Sequence, residues 1–556
     1  MKVYKVRERQ HDALLDDMLA ARGIMGEKDI DAFLAPDFER DSHDPFLLPG
    51  MDIAVERILS AKKNNEKVCV WSDYDCDGIP GGVMLTQFLR TIGVSVRHYI
   101  PHRHKEGYGL NKEGIDSIAE DGITLIITID LGTTEHESIL YAKEKGIDII
   151  VTDHHVVQTL DNPALALINP KRPDSTYPFD GLCGAGVAWK LVQGILVTLR
   201  SGSQPFDYAQ GKEKWFLDLV GIATLSDMVP LVGENRMLAH FGLKVLKRNR
   251  RPGLAALLKV LKIRPSALTE DDIGFMIGPR INAASRMDSP DIAAKLLSTE
   301  DEAQAGVLAK ELNHINDERK GLVAATVKEA NHRMLENPVS GGVIVMGNPK
   351  WRPGILGLVA NKLAEAHHKP VFLWGREGGE VLRGSVRSGD GVSVVEIMSG
   401  APEMFLHFGG HHASGGFSVS EENVHLLAAA LTEVHETIKS KGTLVQEVMV
   451  ERELSLPEVR HALRDLNRLA PFGESNRKPL FVFRDALASR VRMFGKQNDH
   501  LEVSLASGDT TVSGISFFYT PESFLKPIEA GQKIDVVGHV ELDWKGGPRI
   551  RIVDVI

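Results

Sequence analysis

Apolar runs that stop abruptly on carboxylates restrict what this chain can fold into. Val68-Cys69-Val70-Trp71 leads straight into Ser72-Asp73-Tyr74-Asp75-Cys76-Asp77-Gly78. Alternate residues of a strand share a face, so Asp73, Asp75 and Asp77 are expected to leave one strand end aimed the same way. Three like charges that close repel unless protons or cations lie between them. A hard divalent ion is the natural cation for clustered carboxylates. The pattern then recurs. Ile126-Ile127-Thr128-Ile129 ends on Asp130, Ile149-Ile150-Val151-Thr152 on Asp153-His154-His155, and the apolar stretch 221–225 on Ser226-Asp227. Each ending alone has an ordinary reading: a helix cap or turn for the aspartates, a packed core residue for a histidine. Four such endings in one sheet are not independent, because the topology puts them at one edge. Together they predict a metal site of carboxylates and imidazoles, suited to Mn²⁺ or Mg²⁺. Cys76, between two aspartates, should face the core.

The organisation follows from the same runs. Strands are expected at 67–72, 94–100, 124–130, 148–153 and 165–169, with helices between them such as 81–92 and 134–145. This alternation implies an α/β fold with a mostly parallel, doubly wound sheet, whose ligand site lies beyond the carboxyl ends of its strands. Residues 301–336, rich in Ala, Glu, Leu and Lys, predict a long connecting helix. A second α/β unit follows, with strands at 342–347, 371–374 and 380–387 and a helix at 355–367, closing near the glycine-rich 409–416. Short β-type runs at 480–483, 501–505, 511–516, 533–540 and 549–555 predict a small barrel. The expected division is an arm of short helices and loops at 1–50, packed on the next domain, then domains or elements at 51–300, 301–336, 337–442 and 443–556. Residues 200–214 read as a polar surface insertion without chemistry.

A formal net charge of −10 argues against a protein that coats nucleic acid nonspecifically, although it permits a local basic groove. The three cysteines, Cys69, Cys76 and Cys183, show no C-x-x-C spacing, which argues against a zinc ribbon or a disulfide framework. The polar start, MKVYKVRERQ, does not read as a signal peptide, and no run of 18 apolar residues suggests a membrane span. A cytoplasmic, reducing compartment is the expectation.

Asp73-Tyr74-Asp75-Cys76-Asp77-Gly78, Ile129-Asp130, Asp153-His154-His155 and Ser226-Asp227-Met228-Val229-Pro230 resemble the signature of the DHH phosphoesterase superfamily. Gly409-Gly410-His411-His412-Ala413-Ser414-Gly415-Gly416 is similar to that of the DHH-associated domain. Leu469-Ala470-Pro471-Phe472-Gly473, followed by Pro479-Leu480-Phe481, is similar to the entry of an oligonucleotide-binding (OB) barrel. Taken in this order over almost the whole chain, the motifs resemble the RecJ family of 5′→3′ exonucleases of single-stranded DNA.

The resemblance implies metal ligation by Asp75, Asp77, Asp130, His154 and Asp227, with Asp130 bridging two ions. It implies that His155 ligates or touches the scissile phosphate, and that Asp73 and Asp153 orient the ligands. Some relatives carry His four residues before the first ligand; Trp71 stands there in this chain, so the second ion is expected to bind more weakly. The reaction implied is two-metal, in-line hydrolysis of single-stranded DNA to 5′-mononucleotides, in DNA repair and recombination. Arg103, Ser385 and Arg387 match positions that clamp the 5′-phosphate, for which planar, permanently charged guanidinium groups suit. Tyr108 offers a stacking face. Arg280, Asn282 and Arg286 match phosphate contacts, with a structural turn as the plainer alternative, and His411 is expected beside a phosphate. The basic run 247–251 reads as a solvated helix end. The resemblance also suggests a monomer, with a helicase and a single-strand-binding protein as partners. Two rival readings stay open: a small-substrate phosphoesterase acting on short oligonucleotides or pAp, which would not need a C-terminal barrel, and a non-catalytic replication scaffold, which should have lost ligands.

Overall fold

The computed structural model describes residues 2–201, 211–338, 341–376, 381–439, 446–495, 498–543 and 546–556. The polar stretch 200–214 lies largely outside them.

The chain opens with a strand where only helices and loops were expected. β1 (Lys2–Val6) pairs in parallel with Gln446–Val450, more than four hundred residues away. The helices Leu14–Ala20 and Glu27–Leu34 follow. Two turns of helix cannot bury an apolar face alone, and this face goes to the far end of the chain. Leu15, Met18, Leu19 and Phe33 sit in one core with Leu463 of helix Val459–Leu469 and with Phe481, Phe483 and Val536 of the C-terminal barrel. The arm also meets the next domain, as expected: Arg236 Nε donates to the Phe33 carbonyl at 2.8 Å, and the buried Lys190 Nζ to the His43 carbonyl at 2.6 Å.

β2 (Lys67–Ser72), β3 (Ser95–Tyr99), β4 (Ile123–Ile129), β5 (Asp148–Thr152) and β6 (Ala166–Ile168) form an all-parallel sheet in the order β3-β2-β4-β5-β6. Helices cover both faces, so β4 reads Ile-Thr-Leu-Ile-Ile-Thr-Ile, nearly unbroken apolar sequence. The chain leaves β2 for β3 on one side and returns to place β4 on the other. The crevice between the carboxyl ends of β2 and β4 is therefore the topological switch point, where ligands of such sheets bind. Trp71, fully buried near the end of β2, packs on Tyr99 with ring centroids 4.3 Å apart.

Helix Gly78–Thr91 leaves β2 and is buried along most of its length. The helices Gly184–Ser201, Leu217–Ser226 and Gly278–Met287 complete this lobe. The connector is a single helix of 35 residues, Glu302–Glu336. It reaches a mixed sheet of β7 (Ile344–Gly347), β8 (Val371–Gly375), β9 (Leu382–Arg387), β10 (His407–Gly410) and β11 (Ser414–Val419), with helix Pro353–His367 packed against β8 and β9.

The last domain contains β12 (Gln446–Val450), β13 (Arg452–Glu453), β14 (Phe481–Phe494), β15 (His500–Ser507), β16 (Thr510–Phe517), β17 (Lys533–Leu542) and β18 (Pro548–Val555). β14 to β18 close into a five-stranded barrel, because β14 pairs with both β15 and β17. β14 is far longer than the expected run at 480–483. Register shifts after Phe483 and Ala488 let it bend and serve both neighbours. Its outward Arg484, Asp485, Arg490 and Arg492 hide that continuity in the sequence.

Candidate metal centre

Strand β2 ends at Ser72, so the three aspartates do not alternate along it. They lie on the turn into helix Gly78–Thr91, and hydrogen bonds rather than the pleat set their directions. Asp75 Oδ1 accepts from the amides of Asp77 at 2.8 Å and Gly78 at 3.1 Å. Asp77 receives two amides from the start of another helix, Gly184 N on Oδ2 at 2.6 Å and Ala185 N on Oδ1 at 2.7 Å. Gly78 has no room for a side chain: a Cβ there would lie 2.4 Å from the Asp73 carbonyl oxygen.

Asp130 follows β4 with φ +64, a left-handed conformation that aspartate tolerates better than most residues. Asp153 and His154 follow β5. Asp227 caps a helix, Leu217–Ser226, rather than ending a strand, and the chain turns away at Met228 with φ +59. Of the four expected endings, three are thus strand ends, and the fourth, which the sequence left open between helix and strand, is a helix end.

These groups converge. His154 Nε2 stands 3.1 Å from Asp130 Oδ1, 3.6 Å from Asp227 Oδ2 and 3.8 Å from Asp77 Oδ2. Three overlapping sets, each with ligand atoms within 4.8 Å of one another, can hold cations: Asp77, His154 and Asp227; Asp130, His154 and His155; and Asp73, Asp75 and Asp130. Asp73 is therefore placed among the possible ligands as well as behind them. Asp130 Oδ1 and Asp73 Oδ1 are buried with no hydrogen-bond partner.

The electrostatics follow from the crowding of these carboxylates. Burial, reinforced by the neighbouring Asp75, pushes the Asp77 carboxyl up to about 7. Burial with Asp77 and Asp75 pushes Asp227 up to about 9. Asp130 and Asp73 rise well above the carboxylate range for the same two reasons. Burial, with His155 beside it, takes His154 down to about 4, which leaves a neutral imidazole able to ligate. Carboxylates this compressed need a positive charge between them. Two acid sets sharing Asp130 and a neutral imidazole suit oxygen-preferring divalent ions.

Asp153 behaves differently. Burial alone would raise it, but the His155 side chain and the Thr133 amide outweigh that and hold it below the usual range. Its Oδ1 accepts from His155 Nδ1 at 2.8 Å and from the His154 amide at 2.7 Å, and its Oδ2 from the Thr133 amide at 3.0 Å. It orients the two histidines, and the bond to Asp153 in turn raises His155. Cys76 faces the core as expected, donating to Ser226 Oγ at 3.3 Å.

The other expected residues divide. Tyr108 is 51% exposed, with its hydroxyl on the Asp130 carbonyl at 3.1 Å. Arg103 lies over the Tyr74 ring, 4.9 Å from its centroid. Ser385 and Arg387 sit at alternate positions of β9, and Arg387 Nη2 reaches the first turn of helix Pro353–His367, 2.7 Å from where a Gly357 Cβ would stand. Arg286 Nη1 donates to the Gly354 carbonyl at 3.2 Å, so it joins the two lobes. Arg280 faces the connector helix, bonded to Asn313 Oδ1 at 3.0 Å and to the Met276 carbonyl at 2.7 Å. Asn282 lies on the same helix, with its Oδ1 unpartnered. His411 is exposed in the turn between β10 and β11. In the basic run, Arg251 is committed to Asp218, Gln87 and the Leu297 carbonyl.

Sequence reasoning missed the amides that hold Asp77. The clue was Cys183-Gly184-Ala185-Gly186, small residues opening a long helix. A Cβ on Gly184 would collide with Asp130, and one on Gly81 with Ile129 and Ala185.

Comparison with known proteins agrees with this architecture. Residues 67–224 match the DHH family, N-terminal domain, residues 340–440 the DHHA1 domain, and residues 450–553 the RecJ OB domain. The chain is 32% identical over 559 residues to the single-stranded-DNA-specific exonuclease RecJ of Bacillus subtilis, covering 100% of this chain and 69% of that one. It is 30% identical over 541 residues to RecJ of Dickeya dadantii, covering 94% and 93%. The crystal structure of RecJ in complex with Mn²⁺ from Thermus thermophilus superposes with a TM-score of 0.79 at 27% identity, over 100% of this chain and 79% of that one. With three domains of these kinds in this order, and relatives this similar along its whole length, the chain belongs to the RecJ family.

Proposed function

We infer that this protein is a divalent-metal-dependent exonuclease that digests single-stranded DNA from the 5′-end and releases 5′-mononucleotides. The observation that carries the reading is the meeting of Asp77, Asp130 and Asp227 within 3.8 Å of His154 Nε2 at the switch point of the sheet. Its relatives are named as single-stranded-DNA-specific exonucleases, and solved relatives hold Mn²⁺ or Mg²⁺.

Asp75, Asp77, Asp130, His154 and Asp227 would hold one or two such ions, which when bound supply an activated water and the charge needed for in-line displacement at phosphorus. The residues of the chain do the rest. The Gly184 and Ala185 amides fix Asp77. Asp153 takes the Nδ1 proton of His155 in a hydrogen bond, which leaves Nε2 for the substrate phosphate. Arg103, Ser385 and Arg387 hold the 5′-phosphate, so cleavage falls at the next phosphorus and the 3′-oxygen of the terminal nucleotide leaves. Tyr108 stacks on a base, worth about 1–3 kcal/mol and indifferent to sequence. Asn282, Arg286 and His411 line the phosphate path, whereas Arg280, buried and bonded to Asn313 and the Met276 carbonyl, takes the structural role left open as its alternative. The barrel favours a polymeric substrate over a short oligonucleotide or pAp, because it extends the contact surface, and the full ligand set argues against a scaffold. The family resemblance alone supports a cytoplasmic monomer working with a helicase and a single-strand-binding protein in repair and recombination.

The test uses 5′- and 3′-labelled single strands, duplex controls and each metal in turn. The expected result is Mn²⁺- or Mg²⁺-dependent release of labelled mononucleotide from the 5′-label first, abolished by Asp130→Ala. Digestion from the 3′-end, equal attack on duplex, or full activity of Asp130→Ala would overturn it.

A further inference from the structure

Tyr108 sits on a loop that its own residues leave loose and its neighbours tie down. It lies between Gly107 and Gly109, both left-handed at φ +87. A residue between two such glycines has wide backbone freedom. Its side chain is nevertheless held at the metal centre. The hydroxyl donates to the Asp130 carbonyl at 3.1 Å, and the ring meets those of Tyr74 and His155 edge-on, with centroids 6.3 and 6.4 Å away. The rest of the ring is open to solvent.

Glu106 pins the near side of the glycines. Its Oε1 accepts from the His102 amide at 3.1 Å, and its Oε2 from the Tyr99 hydroxyl at 2.5 Å and from Asn111 Nδ2 at 3.4 Å. Tyr99 ends β3 and packs on Trp71. Asn111 caps helix Lys112–Glu120, its Oδ1 accepting from the Gly114 amide at 2.7 Å. One carboxylate thus draws together the strand before the loop, the turn at its start and the helix after it.

Glu135 pins the far side. Its Oε2 accepts from the Leu110 amide at 2.6 Å, and its Oε1 occupies the space that a Gly109 side chain would need. Ser138 Oγ donates to the Leu110 carbonyl at 3.0 Å. Glu135 stands just before helix His136–Glu144, on the segment that follows Asp130. One short stretch therefore carries both an acid of the metal centre and an anchor of the loop. Burial pushes the Glu135 carboxyl up to about 7, against the pull of the Leu110 amide. An apolar side chain would escape that penalty but could not hold the amide.

We propose that Glu106 and Glu135 are positioning residues: by pinning the loop on both sides of its two glycines, they seat Tyr108 beside the metal centre with its open ring face toward the base of the terminal nucleotide. The proposal rests on the exonuclease reading and extends it to two acids outside the sets that can hold cations. Ordering a loop residue opposes binding, and bonds already made in the free protein remove that cost from the encounter.

The experiment uses two 5′-phosphorylated single strands that differ only at the terminal nucleotide, which carries thymine in one and is abasic in the other. Wild type, Tyr108→Ala, Glu106→Gln, Glu135→Ala and Glu135→Gln are compared by the ratio of kcat/KM between the strands. The second readout is the ratio of affinities by fluorescence anisotropy with EDTA present, which needs no catalysis. Wild type should favour the thymine strand about fivefold or more, as stacking of one base implies. Tyr108→Ala should bring both ratios near one. Glu135→Ala should lower them about threefold or more, and so should Glu106→Gln, whose amide puts a donor where donors converge. Glu135→Gln keeps an oxygen for the Leu110 amide and should stay near wild type. Adding Glu135→Ala to Tyr108→Ala should lower the ratios no further. Wild-type ratios near one, or ratios kept by both Glu135→Ala and Glu106→Gln whether or not their Tm falls, would confine the two acids to loop stability and overturn the proposal. If wild type digests neither strand, the exonuclease reading fails by itself, and the metal-free affinity ratio still decides on the seating of Tyr108.

Discussion

A side-chain carbon on Gly184 would stand 2.5 Å from the Cβ of Asp130. The two residues touch because Gly184 opens the helix whose first amides grip Asp77, while Asp130 turns into the same crevice with a left-handed backbone. One glycine thus holds one acid and leaves room for another.

Gly184→Ala should therefore push Asp130 aside or break the amide bond to Asp77. Mn²⁺ affinity is expected to fall about 10–100-fold, the range for groups that orient ligands without binding the ion. Isothermal titration calorimetry measures it. Wild-type affinity in this variant would mean that the crevice is looser than its packing indicates.

Asp153→Asn keeps the shape but removes the charge that His155 and the Thr133 amide stabilise. The histidines lose their anchor, and kcat on single-stranded DNA should drop about 10–100-fold, with KM changed less. A fall confined to KM would shift Asp153 from catalysis to substrate binding.

The carboxylates of the centre make stability depend on pH and metal together. Asp77, pushed up to about 7, and Asp227, pushed up to about 9, hold protons in the metal-free folded chain that an unfolded aspartate has lost above about 4. The folded state binds more protons there, so metal-free stability is fully present below about pH 4 and declines as pH rises through 7 to 9. A divalent ion replaces those protons. The Tm gained on adding Mn²⁺ should therefore grow from pH 6 to pH 8.5, as read by differential scanning fluorimetry. A gain that is flat or shrinks with pH would contradict the carboxylate compression.

Trp71 stands where some relatives carry a histidine, and it is fully buried against Tyr99. A Cβ on Gly114 would come within 2.4 Å of its ring, so the pocket is filled. Trp71→Ala should cost about 3–5 kcal/mol by denaturant unfolding. A cost under about 1 kcal/mol would mean that the surrounding helices collapse into the space.

Much of this protein is legible from local chemistry. Apolar strands bounded by turns, a connector of strong helix formers, and acids and imidazoles at the ends of apolar runs are written residue by residue, because strand period, helix propensity and charge repulsion act over a few neighbours. What required the fold acts between segments far apart in the chain. The start of the chain joins the last domain because its short helices can bury Met18 and Phe33 only against a barrel that does not exist until some 450 residues later. Asp75 and Asp77 are aimed by amides and not by a pleat, and Asp227 arrives on a helix. Arg286 and Arg387 meet at the start of helix Pro353–His367 only because the connector brings the second lobe down on the first. Burial and the summed field of neighbours act between such distant segments, and neither can be read from a residue's own surroundings in the sequence.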